Sequence, residues 1–361
     1  MKKSKGKLVA ALSGGVDSSV AAALCQQQGY ELIGVTLRLR SCDDTTEKRK
    51  SCCGADDNIQ AGLVANILGI PHYFHDAKTE FNQQVLRYAW SEYAAGRTPN
   101  PCIMCNNHIK FGALWEFAEK IGAEGIVTGH YSRLLRDSTG DISLLRGIDT
   151  IKDQTYFLAF LTSEQLQFTH FPLGGMTKPD VRKLATEFGL PNAAKKESQD
   201  ACFGYKGESF PETLRQLFAE TAPQGNIVDE AGKILKPHQG IHDFTIGKRK
   251  GLGIALGKPA YVVDINNQSG NITLSTNSDL LLSNSLLCSG FNWLIDPPQK
   301  LTCQLQVRYN QQPINGIFEQ LNETQGKVTF IDPVRAVSPG QAVVFYDNDK
   351  VLGGAWIDQA D

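Results

Sequence analysis

The feature that most constrains the fold lies at the start of the chain. A short apolar run, Lys7 to Leu12, leads into Ser13-Gly14-Gly15-Val16-Asp17-Ser18-Ser19, and a helix-forming stretch follows from Ser18 to Gln28. Strand, glycine loop and helix in that order predict an α/β domain with the loop at the carboxyl end of a buried strand. Two glycines let the backbone approach an anion closely. Ser13 and Ser18 add hydroxyl donors, and the helix start adds its positive dipole end. Asp17 conflicts with a phosphate unless Mg²⁺ lies between them. No lysine follows the glycines, which excludes the loop that holds the β- and γ-phosphates in kinases and GTPases.

Alternation continues beyond the loop. Glu31–Leu37, His72–His75 and Gly125–Thr128 read as strands; Ala55–Leu68, Thr79–Gly96 and Ile109–Ile121 read as helices. This pattern predicts a doubly wound parallel sheet. Ligands on such sheets bind at the carboxyl ends of strands, so the loops after Leu12, Leu37 and Thr128 should share one cleft. Helices are expected at Thr177–Phe188 and Glu208–Glu220. From about Gly225 short strands and turns take over, including Tyr261–Ile265, Leu301–Arg308, Lys327–Ile331, Ala342–Tyr346 and Val351–Ile357, and predict a small β-barrel.

Charge and length exclude several classes. Lys+Arg 36 against Asp+Glu 38 gives a net charge of -2 over 361 residues. That rules out a uniformly basic coat, though not a basic patch such as Lys248-Arg249-Lys250. No apolar run is long enough to cross a membrane, and the apolar segment after the N-terminal lysines is too short for a signal peptide. A cytoplasmic, reducing location is expected. There the nine cysteines point to catalysis or metal binding rather than disulfide scaffolding. Cys25, Cys288 and Cys303 sit in apolar or strand contexts and read as small buried hydrophobes. Cys42, Cys52 and Cys53 fall in a polar insertion whose spacing is not diagnostic. Cys102 and Cys105 form Cys-x-x-Cys ahead of a helix, where a thiol becomes a better nucleophile. Cys202 lies in a polar loop nearly a hundred residues later.

The SGGVDSS loop resembles that of the PP-loop ATP pyrophosphatases, which adenylate a substrate oxygen and release pyrophosphate. Further motifs narrow the likeness: Gly96–Phe111 (GRTPNP, then CN and IKF), Thr128-Gly129-His130-Tyr131, Lys152–Leu158, Ser198–Phe203, Gly247–Gly253, Arg308-Tyr309 and Pro339-Gly340-Gln341. Together they resemble the bacterial tRNA-specific 2-thiouridylase family along essentially the whole chain. The resemblance implies an α/β PP-loop catalytic domain (1–205), a small linking domain (206–265) and a C-terminal, tRNA-binding β-barrel (266–361). It implies that sulfur replaces O2 of the wobble uridine of tRNAs for Lys, Glu and Gln. ATP with Mg²⁺ and a persulfide donor, a cysteine desulfurase or sulfur-relay protein, would be required.

By the same resemblance Cys105 is the nucleophile, and Cys202 carries the persulfide and pairs transiently with Cys105. Ala11, Leu12, Ser13, Gly14, Gly15, Val16, Asp17, Ser18, Leu37 and Gly129 bind ATP. Asn100, Pro101 and Cys102 contact the target base, and the base must leave its stack to be reached. His130, Lys152, Asp153, Gln154, Arg308, Tyr309 and Gln341 contact tRNA. Many family members carry Asp where this chain has Cys102. Cys102, Cys105 and Cys202 therefore also admit an iron–sulfur cluster with one iron left open. Two rivals share parts of the pattern. Another PP-loop synthetase or amidotransferase would not need the loop cysteines, and a non-enzymatic tRNA-binding protein would not need SGGVDSS.

Overall fold

A computed structural model of the chain describes residues 4–40, 55–195, 208–254 and 256–361. Cys42, Cys52, Cys53 and Cys202 lie outside the described residues. The chain forms two compact units. One takes the described residues of 1–85, 102–206 and 348–351; the other takes those of 86–101, 207–347 and 352–361.

The first unit is built on a parallel sheet. Its strands are β1 (Lys7–Ala11), β2 (Glu31–Arg38), β3 (His72–Asp76), β4 (Gly125–Val127) and β7 (Thr169–His170), in spatial order β3-β2-β1-β4-β7. Helices α1 (Val16–Gln27) and α2 (Ala55–Leu68) flank it. Leu8, Ala10, Val20, Ala21, Leu32, Val64 and Val127 fill the core between sheet and helices. Small residues dominate the buried face of α1, so the helix packs close and fixes the loop that precedes it. Strands β5 (Ser132–Arg136) and β6 (Ile142–Arg146) form an antiparallel hairpin that the sequence pattern did not reveal. The regular helix expected at 109–121 is a wide π-type turn over Cys105–Ala113 followed by an α-helix over Leu114–Lys120. Gln165 supports the wide turn, donating its side-chain amide to the carbonyls of Asn107 (2.9 Å) and Phe111 (3.0 Å).

The second unit contains two sheets. Strands β8 (Gly225–Val228), β9 (Ile234–His238), β10 (Tyr261–Ile265) and β11 (Ile272–Ser275) make one, ordered β10-β11-β8-β9. A boundary at 265/266 falls in the turn between the paired strands β10 and β11, so this sheet runs on to Ser275. The other sheet is the expected barrel. Strands β12 (Leu282–Trp293), β13 (Lys300–Gln306), β14 (Ile314–Gln320), β15 (Gln325–Arg335), β16 (Ala342–Asp347) and β17 (Lys350–Ala360) run in the order β12-β15-β14-β13-β16-β17. Pairing of β12 with β17 closes the ring. Leu286, Phe318, Val328, Val343, Phe345 and Ile357 fill it.

Residues 86–101 belong to this second unit. Trp90 donates its indole N–H to Glu220 at 2.6 Å, and the Thr98 N–H donates to the Pro339 carbonyl at 2.8 Å. Among the described residues no helix is long and apolar enough to cross a membrane.

Candidate active site

Ser13–Ser18 turns tightly between β1 and α1. Gly14 has φ +72, and a Cβ there would come within 2.3 Å of the Asp57 carbonyl oxygen, so only glycine fits. The Ser13 N–H donates to Ser18 Oγ at 3.2 Å, and Ser18 Oγ donates to the Gly15 carbonyl at 3.1 Å. The N-cap of α1 is Gly15, with no side-chain cap. The first-turn N–H groups of α1 therefore have no side-chain acceptor from the cap, which is the arrangement an anion uses.

Loops from three strand ends converge on this turn, as the parallel sheet requires. Ala11, Leu12, Ser13, Asp17 and Ser18 line a cavity of about 250 Å³ together with Thr36, Leu37, Gly129 and His130. Lys110 and Gln154 complete its polar wall. Leu37 and Gly129, expected beside the nucleotide, line this cavity. His130 and Gln154, expected to touch tRNA, line the same cavity. Gly129 is forced by contact. A Cβ there would sit 2.6 Å from the Asp17 carbonyl carbon and 2.7 Å from the Ser18 nitrogen.

Burial, and Lys110 beside it, hold the His130 imidazole well below the ordinary histidine value. Lys110 Nζ lies 3.5 Å from Nε2 and can only donate, so Nε2 is the bare nitrogen. Nδ1 then donates to Thr128 Oγ1 at 2.7 Å. Gln154 ties the neighbouring motif to this one. Its Oε1 accepts from the Tyr131 N–H at 3.0 Å, and its own N–H donates to the Tyr131 carbonyl at 3.1 Å.

Several groups missed in the sequence hold the phosphate loop. Lys178 Nζ donates to both Asp17 oxygens, at 2.7 and 2.8 Å, and the Tyr131 hydroxyl donates to Asp17 Oδ1 at 2.9 Å. Asn192 and Lys195 both donate to the Gly14 carbonyl at 3.1 Å, and Lys195 also pairs with Asp57. The run of lysines and asparagine after Pro191 was the only hint, and it read as a polar stretch.

Other expected tRNA contacts are engaged within the protein. Asp153 is buried. Its carboxylate pairs with Arg146 at 2.9 Å and accepts from the Gly147 N–H and the Thr155 hydroxyl. This carboxylate, expected to contact tRNA, is an internal hub in the protein alone. Arg308 donates to the Ile246 carbonyl and to Ser338 Oγ, and Gln341 donates to the carbonyls of Thr98 and Pro99. The Gln306 side-chain amide donates to the Tyr309 carbonyl at 2.7 Å. Lys152 is half-buried in the turn where its N–H donates to the Asp149 carbonyl.

Pro101 opens the single helical turn Pro101–Met104, just after the buried Asn100. Cys102 is half-buried, and Cys105 is buried at the start of the wide turn. Cys25, Cys288 and Cys303 are buried as expected. Burial pushes each thiol up to about 12, which leaves them inert. Among the described residues no three His, Cys, Asp or Glu side chains gather as a metal-binding set. Of the three thiols expected to hold a cluster, Cys102 and Cys105 are described and Cys202 lies outside the described residues.

A glycine-rich turn against an uncapped helix start, at the carboxyl edge of a parallel sheet, defines a PP-loop protein of the class that uses ATP. Residues 6–206 match the family model "tRNA methyl transferase HUP domain". Residues 212–276 match "tRNA methyl transferase PRC-barrel domain", and 283–357 match "Aminomethyltransferase beta-barrel domain". The protein named tRNA-specific 2-thiouridylase MnmA in Geotalea uraniireducens is 42% identical over 366 residues, covering 100% of this chain and 97% of that one. Its namesake in Carboxydothermus hydrogenoformans is 42% identical, covering 98% of both chains. The one in Rickettsia prowazekii is 41% identical, covering 97% of this chain and 98% of that one. The chain belongs to the tRNA-specific 2-thiouridylase family. A solved 4-thiouridine synthetase–RNA complex with bound ATP is similar only at TM-score 0.33 and 16% identity, over 59% of this chain and 50% of that one, and carries no weight here.

Proposed function

We propose that the protein is a cytoplasmic tRNA-uridine 2-sulfurtransferase. It adenylates O2 of the wobble uridine in tRNAs for Lys, Glu and Gln and replaces that oxygen with sulfur from a cysteine persulfide. The observation that carries this reading is the one cavity gathering Ser13, Asp17, Ser18, Gly129 and His130, in a chain 42% identical to named 2-thiouridylases. ATP would bind with its phosphates on the Ser13–Ser18 turn and its base and ribose beside Leu37 and Gly129. Mg²⁺ would accompany ATP on its phosphates, while Asp17, the carboxylate on the cavity wall, has both oxygens engaged by Lys178.

Uridine O2 attacks the α-phosphorus, and pyrophosphate leaves. AMP is then a good leaving group on C2. The terminal sulfur of a Cys202 persulfide attacks C2, and AMP departs with the oxygen. The Cys105 thiolate attacks the Cys202 sulfur and frees 2-thiouridine. Two thiols are oxidised to a Cys105–Cys202 disulfide as the persulfide sulfur is reduced to the thiocarbonyl level. A thiol reductant resets the pair, and a desulfurase or relay protein reloads Cys202. The buried wide turn beginning at Cys105 supports its role, because few rotamers remain open to a side chain fixed there. Asn100, Pro101 and Cys102 would contact the target base, and Arg308, Tyr309 and Lys152 the tRNA. The linking sheet and barrel would form the tRNA-binding part.

Incubation with α-labelled ATP, unmodified tRNA and a persulfide donor tests the reading. AMP, pyrophosphate and 2-thiouridine should form in equal amounts and only with tRNA present. AMP formation without tRNA, or with tRNA but no thiolation at all, would place the chain among other PP-loop synthetases.

A further inference from the structure

The phosphate loop carries a negative charge where a polyphosphate must bind. Asp17 lies in the first turn of α1 and lines the cavity beside Ser13 and Ser18. A bare carboxylate there would oppose every phosphate that entered, since unit charges a few ångströms apart interact by several kcal/mol at the effective dielectric near a protein surface.

The opposing charge comes from far along the chain. Lys178 is the first residue of the helix Lys178–Glu187, whose start is fixed by a capping box between Thr177 and Asp180. A second anchor is the Lys178 N–H, which donates to Asp149 Oδ2 at 2.9 Å. The side chain is 10% exposed against 32% for Asp17. It runs past the Tyr131 ring, with Nζ 5.9 Å from the centroid, to meet both carboxylate oxygens. Burying the long lysine side chain costs entropy and desolvation, and the bidentate contact with Asp17 offsets them.

We propose that Lys178 is a positioning residue for the ATP reaction: by pairing with Asp17 it cancels the charge of the phosphate loop, so that this loop accepts a triphosphate without a lysine of its own. The role rests on the ATP reading above and adds to it a residue outside every motif that suggested that reading. Asp17 is thereby held in one orientation by three hydrogen bonds, two from the Lys178 ammonium and one from the Tyr131 hydroxyl.

The test is a ligand series on the full-length protein. Dissociation constants for adenosine, AMP, ATP and pyrophosphate are measured by calorimetry for wild type, Lys178→Gln and the double variant Asp17→Asn/Lys178→Gln. Lys178→Gln should leave adenosine within twofold, weaken AMP modestly and weaken ATP and pyrophosphate more than tenfold. The double variant should recover most of that loss, because no carboxylate remains to be neutralised. A purely structural lysine would lower the melting temperature and weaken all four ligands alike. Uniform weakening, or none, overturns the proposal. Graded weakening without recovery in the double variant also overturns it, since it would put Lys178 on the phosphates directly. Should Lys178→Gln not fold, Lys178→Arg must keep ATP within threefold of wild type and Lys178→Met must weaken ATP and pyrophosphate more than tenfold with adenosine within twofold; failure of either has the same force. If wild type itself bound adenosine but not ATP, the ATP reading would fall instead.

Discussion

Gln341 holds Pro99: its side-chain amide donates to the Pro99 carbonyl at 2.8 Å and to the Thr98 carbonyl at 3.0 Å. The neighbouring Gly340, at φ +87, packs so tightly that a Cβ would lie 2.9 Å from the Thr98 oxygen. With the Thr98 N–H bonded to Pro339, the Pro339-Gly340-Gln341 motif forms a cradle for the loop that delivers Asn100. Gln341→Ala should cost about 1 to 2 kcal/mol, the usual range for hydrogen bonds whose partners are left part-buried. It should also speed amide exchange across residues 96–100. Unchanged exchange there would show that the cradle does not hold the loop.

Gly129→Ala should remove ATP binding while the barrel stays folded. The added methyl meets Asp17 and Ser18 backbone atoms at 2.6 and 2.7 Å, and backbone cannot swing aside as a side chain can. ATP titration by calorimetry should show no heat, whereas the near-ultraviolet signal of Trp293 and Trp356 should persist. ATP binding at wild-type strength would mean that the loop has slack this packing does not show.

His130 gives a pH dependence with a definite sign. Its folded-state value lies below the unfolded value of about 6.5, because burial and then Lys110 disfavour the imidazolium. The unfolded chain therefore takes up a proton that the folded chain refuses as pH falls. The stabilisation is fully present above about pH 6.5 and is lost progressively below it. His72, His108, His170 and His242 are shifted the same way by burial and contribute to the same trend. Urea midpoints should fall between pH 7.5 and pH 5, and His130→Gln should flatten that fall without abolishing it. An equal slope in the variant would mean that His130 already protonates in the folded protein.

What was legible in the sequence was local. Strand, loop and helix at 7–27 follow from apolar periodicity and two glycines, and the cleft shared by Leu12, Leu37 and Gly129 follows from parallel-sheet topology. Barrel strands were visible through their spacing. What escaped was set by partners distant in sequence. Cys105–Ala113 reads as the start of an ordinary helix, and only Gln165, more than fifty residues later, shows why it is wound wide. Lys178 lies 161 positions from Asp17 at the head of a polar helix, where a lysine normally faces water. Asp153 shared a motif with Gln154 and was expected to share its surroundings, yet Arg146 and two N–H groups turned it inward. Residues 86–101 read as part of the first domain, but Trp90, Thr98 and Pro99 have their partners in the second unit.

The thiols separate two sulfur chemistries. In the persulfide route Cys105 and Cys202 carry the reaction, and Cys102 is a passive neighbour. In the cluster route Cys102 is one of three thiolate ligands. A thiolate binds iron better than a carboxylate does, so Cys102→Asp should then weaken the cluster. Cys102 and Cys105 are described, and Cys202, which both routes need, lies outside the described residues. Protein purified without air should hold less than a tenth of an equivalent of iron and acid-labile sulfide. Cys102→Asp should thiolate tRNA within about threefold of wild type, a difference under 1 kcal/mol in barrier. Cys105→Ser should abolish thiolation yet still release pyrophosphate, because adenylation precedes the thiol step. Near-stoichiometric iron, together with loss of both iron and thiolation in Cys102→Ser, would replace the persulfide route with the cluster.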